Sequence, residues 1–144
     1  MLLRNDGKAT SVPNRLFASV RNLTGSGADP LGAGGWSTPV PTNIPDSPTR
    51  TYAGTLPDDT AWLLGTQVPG TRDPLTLSLA KNGIAFDRAF ALMTAADMAP
   101  LGVDARSGFS YPGALVRNGT LFVAVAADKV TIVLARTKLA SLLM

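Results

Sequence analysis

Apolar residues in this chain fall into short runs of four to eight positions, which Gly, Pro, Asn and Asp separate. Runs of this length, rich in Val, Leu, Phe or Thr and bounded by turn residues, are typical of β-strands. We predict strands in the segments RLFASV (15–20), TYAGTL (51–56), AWLLGTQ (61–67), PLTLSLA (74–80), AFALMT (89–94), GALVR (113–117), TLFVAVAA (120–127) and VTIVLART (130–137). Their spacing favours a meander of short antiparallel strands.

The residues between these runs indicate that consecutive strands form hairpins. Asn118 and Gly119 tolerate the positive φ that both central positions of a type I′ turn require. The segment 57–59 (PDD) suits a type I turn, and Asn82 with Gly83 offers a second left-handed pair. Each strand is therefore expected beside the next one along the chain.

Three segments depart from simple alternation. Segment 120–127 is apolar at nearly every position, which predicts burial on both faces of its sheet, as in sheets stacked on sheets. Segment 22–48 is dense in Gly, Pro, Ser and Thr and predicts a loop. The last residues, 139–144, allow either a helical turn or a final strand.

Composition restricts the chemistry. The 144 residues are enough for one domain with a modest core, and 45% of them are hydrophobic. The chain has no Cys and no His, and its ten acidic residues are all Asp. Zinc sites built on Cys or His, Ser-His triads, cysteine nucleophiles and disulfides are excluded within this chain. We expect no cofactor, and only Asp, Tyr, Lys, Arg, Ser and Thr remain for catalysis.

Charge and hydropathy limit the kinds of partner that we expect for this chain. The net charge of +3 comes from basic residues spread along the chain without a run, which is typical of a solvated surface and not of a nucleic-acid interface. No apolar segment approaches the length of a membrane helix, and the first residues lack the apolar core of a signal peptide. We expect a soluble protein without nucleic-acid or membrane partners.

Several ordered segments carry a family resemblance. They are RLFASV (15–20), GWSTPVPTNIPDSPTRTYAGTLPDD (35–59), WLLGTQVPGTRDPLTLSLAKNGIAFDRAF (62–90) and YPGALVRNGTLFVAVAADKVTIVLARTKLASLL (111–143). From about Arg15 onward, the chain resembles the C-terminal part of bacterial sialidase-like proteins with BNR, or Asp-box, repeats. Those proteins are six-bladed β-propellers whose blades are four-stranded antiparallel sheets.

The resemblance implies an all-β chain that forms about half of a six-bladed propeller as one partial domain. Residues 1–50 would form a degenerate blade with a Gly/Pro-rich insertion. Residues 51–105 would form a blade with a degenerate Asp-box, and residues 106–144 would supply the hairpins of the last blade.

The Asp-box is a structural turn, usually Ser-x-Asp-x-Gly-x-Thr-Trp. In segment 80–86 (AKNGIAF), Ala80 replaces the Ser and Asn82 replaces the Asp, while Gly83 and Phe86 remain. An earlier copy is interrupted by the twelve residues 23–34. These departures affect local rigidity more than the fold.

The resemblance also implies a site. Tyr111 falls at the family's nucleophile position, and Arg72 at one of three Arg that bind the substrate carboxylate. In the family a Glu takes the tyrosine proton, because a phenol is a poor nucleophile at neutral pH without a base. Since this chain has no Glu, and the other Arg and the acidic Asp have no counterpart here, we do not expect autonomous hydrolysis.

Structural readings stand beside these functional ones. Tyr111 fits a half-buried packing ring at a strand start, and Arg72 with Asp73 fits a loop ion pair. Trp36 and Trp62 are expected in the core. Arg50 and Arg106 are expected on the solvated surface, without a chemical role.

Two functions follow. The first is a sialidase-like propeller portion that is not catalytically competent alone, with a sialoside-like or other acidic sugar as ligand. The alternative is a non-catalytic β module that binds glycan or protein, or a structural propeller remnant. Open blade edges predict self-association in either case.

Overall fold

The computed structural model describes residues 2–3, 15–19, 36–46, 49–81 and 85–143. Strands account for 53% of the structure and helices for 10%, and the sheets are antiparallel, so the predicted all-β class is confirmed. The chain divides into two compact units, residues 1–46 and residues 47–144. Each unit has its own sheets.

The smaller unit holds a three-stranded antiparallel sheet. Its strands, in spatial order, are β1 (Leu2–Leu3), β2 (Arg15–Ala18) and β3 (Val40–Pro45). Phe17 lies opposite Pro41, and the Thr42 hydroxyl donates to the Leu16 carbonyl oxygen at 2.8 Å. Backbone pairing and this side-chain bond together fix the register of β3 on β2.

Strand β3 lies inside the segment that the sequence predicts to be a loop, so that prediction is wrong for residues 40–45. Two of its residues, Pro41 and Pro45, have no N–H to donate to a ladder. The strand is nevertheless compatible with a sheet because it pairs with β2 alone, along one side. The interrupted repeat copy, residues 23–34, lies outside the described residues.

The larger unit begins with a four-stranded antiparallel sheet in consecutive order. Its strands are β4 (Tyr52–Thr55), β5 (Ala61–Gly65), β6 (Leu75–Ala80) and β7 (Arg88–Met93). The predicted turn between β4 and β5 is confirmed: the Asp59 amide donates to the Leu56 carbonyl at 3.0 Å, and Asp59 has φ 64°. The predicted turn at Asn82 and Gly83 lies outside the described residues.

The second sheet of this unit is a three-stranded meander. Its strands are β8 (Phe109–Arg117), β9 (Thr120–Ala127) and β10 (Thr131–Lys138), in consecutive order. Asn118 has φ 49° and Gly119 has φ 67°, which confirms the left-handed turn between β8 and β9. Helix α1 (Ala95–Met98) and a 3-10 turn (Ala99–Leu101) precede β8, and helix α2 (Ala140–Leu143) follows β10.

One core joins the two sheets of the larger unit. The first sheet contributes Trp62, Leu64, Leu75, Leu77 and Leu79, and the second contributes Phe109, Leu121, Val123, Val125 and Ala127. Trp62 is buried as predicted, whereas Trp36 is 50% exposed, so the core prediction for Trp36 is wrong.

The second face of β9 is covered only in part. Alternate residues of β9 enter the core, but Phe122 on the opposite face is 39% exposed. The prediction of burial on both faces is therefore right for one face and wrong at Phe122. Continuous apolar sequence does not by itself supply a cover for both sides of a strand.

Candidate functional site

The structure brings the two residues singled out by sequence, Arg72 and Tyr111, to one place in the larger unit. Arg72 lies in the loop between β5 and β6, and Tyr111 lies near the start of β8. The Phe109 amide donates to the Arg72 carbonyl oxygen at 2.8 Å. The Arg72 Nη1 donates to the Ser110 hydroxyl at 3.2 Å. The guanidinium is therefore anchored on the residue immediately before Tyr111.

This close approach depends on Gly108. An ideal Cβ at this position would lie 2.5 Å from the Arg72 carbonyl oxygen, and Gly108 has φ +76°. A side chain would meet backbone, which cannot rotate away, and the left-handed conformation is unfavourable for any residue with a Cβ. Glycine here lets the Arg72 loop lie directly against β8.

Tyr111 has an uncommon backbone and an exposed ring. Ser110 pairs with Ala126 and Gly113 pairs with Ala124, so two residues of β8 face one residue of β9 and form a β-bulge. Tyr111 sits in this bulge with φ 54°, and it is 59% exposed. Tyr111 therefore exposes somewhat more of its surface than a half-buried packing ring would.

Positive φ is costly for a bulky residue, about 1 to 3 kcal/mol, and it persists where the surroundings impose it. At Tyr111 the surroundings are the bulge, the buried Ser110 before it and the buried Pro112 after it. The backbone therefore holds the phenol away from the core, one residue after the Ser110 that accepts from Arg72.

The carboxylate of Asp73, next to Arg72 in sequence, bonds to the first turn of helix α1. The Asp73 Oδ1 accepts from the Ala95 amide at 3.0 Å and so holds the first turn of α1. Within the described ranges, no hydrogen bond joins the Tyr111 hydroxyl to a carboxylate, and none of the described Asp residues stands as its base. The site combines a cation and a phenol without a proton acceptor.

Arg50 and Arg106 are exposed, as the surface reading predicts. Arg106 forms an ion pair with Asp104 at 2.6 Å, and the Arg106 side chain is 89% exposed. Hydrogen bonds from Arg106 lower the pKa of the Asp104 carboxyl. This pair lies on the surface and serves the loop before β8.

Sequence reasoning missed Ser110 and Gly108. Both lie in GFSY (108–111), where the only local signal is a glycine at a strand start. The partner of both is Arg72, more than thirty positions earlier, so the contact becomes visible only in the folded chain.

Comparisons of the chain with models of known protein families, with curated proteins and with solved structures found no match. In the described part of the chain, no three acidic side chains gather as metal ligands. None of the described helices is long and apolar enough to span a membrane. The geometry of Arg72 and Tyr111 therefore carries the functional argument.

Proposed function

We propose that this chain is a sialidase-like β-propeller portion in which Arg72 and Tyr111 bind the carboxylate of an acidic sugar without hydrolysing it. The observation that carries the proposal is the 3.2 Å bond from Arg72 to Ser110, which holds the guanidinium on the residue that precedes an exposed Tyr111 with positive φ.

The chemistry of the two side chains suits an anionic sugar. A guanidinium presents several N–H donors in a planar fork, and the bond to Ser110 sets the orientation of that fork. An exposed phenol offers a hydroxyl donor and a flat apolar face for a sugar ring. A neutral phenol also avoids placing a second anion near the ligand carboxylate.

The absence of a base favours binding over hydrolysis. A tyrosine nucleophile needs a nearby group to take its proton, and the chain contains no Glu or His. Asp73, the carboxylate nearest in sequence to Arg72, is committed to the Ala95 amide. Among the described residues, no carboxylate is hydrogen-bonded to the Tyr111 hydroxyl to take its proton, so we expect binding without hydrolysis.

The propeller part of the proposal is supported by strand order. Strands β4 to β7 form a consecutive four-stranded antiparallel sheet, and β8 to β10 form a consecutive three-stranded one. Consecutive up-and-down sheets are the unit from which propeller blades are built. An experimental structure in which these sheets do not radiate from a common axis would contradict the propeller and leave the Arg72 and Tyr111 site to be tested separately.

The binding test is an NMR titration of the protein with a methyl α-sialoside, with methyl β-galactoside as the neutral comparison. We expect weak binding of the sialoside, with a Kd near the millimolar range, and shifts centred on residues 72 and 108–113. Arg72→Ala should weaken binding about tenfold or more, because charge-assisted hydrogen bonds contribute about 1.5 to 3 kcal/mol.

Two variants make the test specific. Arg72→Lys keeps the charge but loses the fork and should recover only part of the affinity. Arg106→Ala removes an exposed arginine paired with Asp104 and should change nothing. Equal binding of both sugars, or equal losses in the Arg72 and Arg106 variants, would refute carboxylate recognition.

Hydrolysis is checked with a fluorogenic sialoside. We expect no turnover by the wild-type chain. Turnover that Tyr111→Phe abolishes would show that the chain supplies its own proton acceptor, and the non-hydrolytic part of the proposal would fail.

A further inference from the structure

The sheet β8–β10 has one face in the core and one face turned outward, which we name the outer face. Strand register and side-chain alternation assign to it Gly113, Leu115 and Arg117 of β8, Thr120, Phe122, Ala124 and Ala126 of β9, and Ile132, Leu134, Arg136 and Lys138 of β10. The core face carries the alternate residues of the same strands.

The outer face exposes large apolar side chains. Leu115 is 59%, Ile132 67% and Leu134 79% exposed, and they surround the partly exposed Phe122. An apolar groove of about 480 Å³ lies over Gly113 and Ala124, where small residues leave a hollow between these larger ones. A contiguous apolar patch on a sheet face is typical of an interaction surface.

Large and small residues alternate in rows across the three strands. One row reads Leu115, Phe122, Arg136, and the next reads Gly113, Ala124, Leu134. On β8 and β9, the first row is therefore large and the second is small. On β8 and β9, a row of protruding side chains therefore lies directly beside a row that leaves a hollow.

We infer that the outer face binds the outer face of a second copy of this chain, about a two-fold axis that crosses the strands between these two rows. Such an axis sets Leu115 of one copy over Gly113 of the other, and Phe122 over Ala124. The large residues then fill the groove, and the same patch serves both copies, as two-fold symmetry requires. The two copies would pack sheet on sheet, in the same way as the opposite face of this sheet packs in the core.

Two of the three cations on this face, Arg117 and Lys138, favour this orientation; the third, Arg136, lies beside the axis on the outermost strand β10, from which its guanidinium can reach solvent. Arg117 and Lys138 flank Thr120 in the row at one end of the sheet, and Lys138 Nζ donates to the Thr120 hydroxyl at 3.3 Å. The proposed axis makes the strands of the two copies antiparallel, so these cationic rows lie at opposite ends. Thr120 and Ala126 mark the two ends on β9, about 20 Å apart at ~3.3 Å per residue, which exceeds the ~8 Å screening length at physiological salt. An axis along the strands would instead bring the cationic rows together.

The area of the outer face limits the affinity of the proposed dimer. Three strands of eight or nine residues measure roughly 26 Å by 14 Å, which is smaller than the ~800 Å² per partner of a standard interface. We therefore expect a reversible dimer that forms in the micromolar range or above. The inference does not depend on sugar binding, since Tyr111 is not part of the face.

The test is sedimentation velocity of the full chain from low micromolar to several hundred micromolar concentration. We expect a concentration-dependent shift from monomer to dimer. Leu115→Asp should weaken association by at least about tenfold, since it removes the apolar contact over Gly113 of the other copy and adds a buried charge. The Leu115 side chain is largely exposed in the monomer, so the melting temperature at low concentration should change little.

Two further variants decide the packing. Leu101→Asp removes an equally exposed leucine outside the face and should leave the dimer intact. Gly113→Val fills the groove without reducing apolar surface, and an added Cβ there meets nothing within 4 Å of the same chain. The proposed packing predicts that Gly113→Val weakens the dimer about tenfold or more, whereas a generally adhesive face would associate as well or better.

Three outcomes would overturn the inference. One is a monomer across the whole concentration range, and another is a dimer that is equally strong in the Leu115→Asp variant. The third is a monomer that co-sediments with vesicles containing phosphatidylserine and loses this in the same variant, because the face would then serve a lipid surface.

Discussion

The two sheets of the larger unit have similar apolar content but differ in how their faces are covered. In β5, Trp62 and Leu64 enter the core, and Leu63 on the other face is also buried. In β10, Val133 packs against the core, but Leu134 on the other face is 79% exposed. Apolar sequence makes a strand, and the neighbours of the sheet decide whether both of its faces are used.

The largest expected effect tests this difference directly. Leu64→Ala should reduce the free energy of unfolding by about 2 to 5 kcal/mol, because it opens a cavity in the core. Leu134→Ala should change it by no more than about 0.5 kcal/mol at low protein concentration. Urea denaturation measures both, and equal losses would mean that the outer face is covered within the monomer.

The next effect concerns the place where the Arg72 loop meets β8. Gly108→Ala should cost about 2 to 4 kcal/mol, because it combines a left-handed φ with a clash against the Arg72 carbonyl. Thermal or urea unfolding measures the loss.

Two other glycines separate the causes. Gly119 has φ +67° with open space around it, so Gly119→Ala should show the conformational cost alone, about 1 to 2 kcal/mol. Gly113 has neither feature and should tolerate Ala without loss. If Gly108→Ala costs no more than Gly119→Ala, the close approach of the Arg72 loop is not needed for stability.

A smaller effect tests whether the Tyr111 backbone is maintained for function. Tyr111→Asn places a residue that tolerates positive φ at this position, and should stabilise the fold by up to about 1 kcal/mol. The same change should abolish the sialoside shifts. A variant that loses stability would indicate that the exposed ring contributes packing that outweighs its backbone cost.

The smallest effect is a dependence on acidic pH. Hydrogen bonds from Thr60 lower the pKa of Asp58, those from Thr94 lower the pKa of Asp97, and those from Arg106 lower the pKa of Asp104. A carboxyl whose pKa is lowered on folding stabilises the protein above its unfolded pKa of 3.8, and that stabilisation is lost as the pH falls through the folded pKa.

Melting temperatures from about pH 6 down to about pH 2 should therefore decrease below about pH 4. All three groups are exposed, so the decrease attributable to each is small. Asp97→Asn removes the titrating member of the Thr94 capping box and should flatten part of the acid limb. An unchanged acid limb in this variant would exclude Asp97 as a contributor.

The sequence predicts much of the larger unit, because its signals are local. The turn at Asn118 and Gly119 follows from residues that accept positive φ, and β9 spans the segment predicted for it, 120–127. Strand β3 was missed because its prolines argue against a strand, and only its edge position makes them acceptable.

The candidate site was predictable only in part. Tyr111 and Arg72 emerged from a family resemblance, but their proximity did not, nor did the roles of Ser110 and Gly108. Contacts between positions 72 and 108–110 join the loop between β5 and β6 to the start of β8, and no short-range pattern encodes them. The exposure of Phe122 and Trp36 was missed for the same reason, since hydrophobicity does not reveal whether a covering element exists.

By itself, the sequence determined the antiparallel all-β class, the hairpin turns and the absence of Glu and His, since each depends on residue identity or on contacts within a few positions. The tertiary structure decided that Arg72 lies on Ser110, that Tyr111 is turned outward by a bulge, and that one face of β8–β10 lacks a cover in the monomer. These outcomes depend on which distant segments pack together, and the free energy of packing is a property of the assembled sheets.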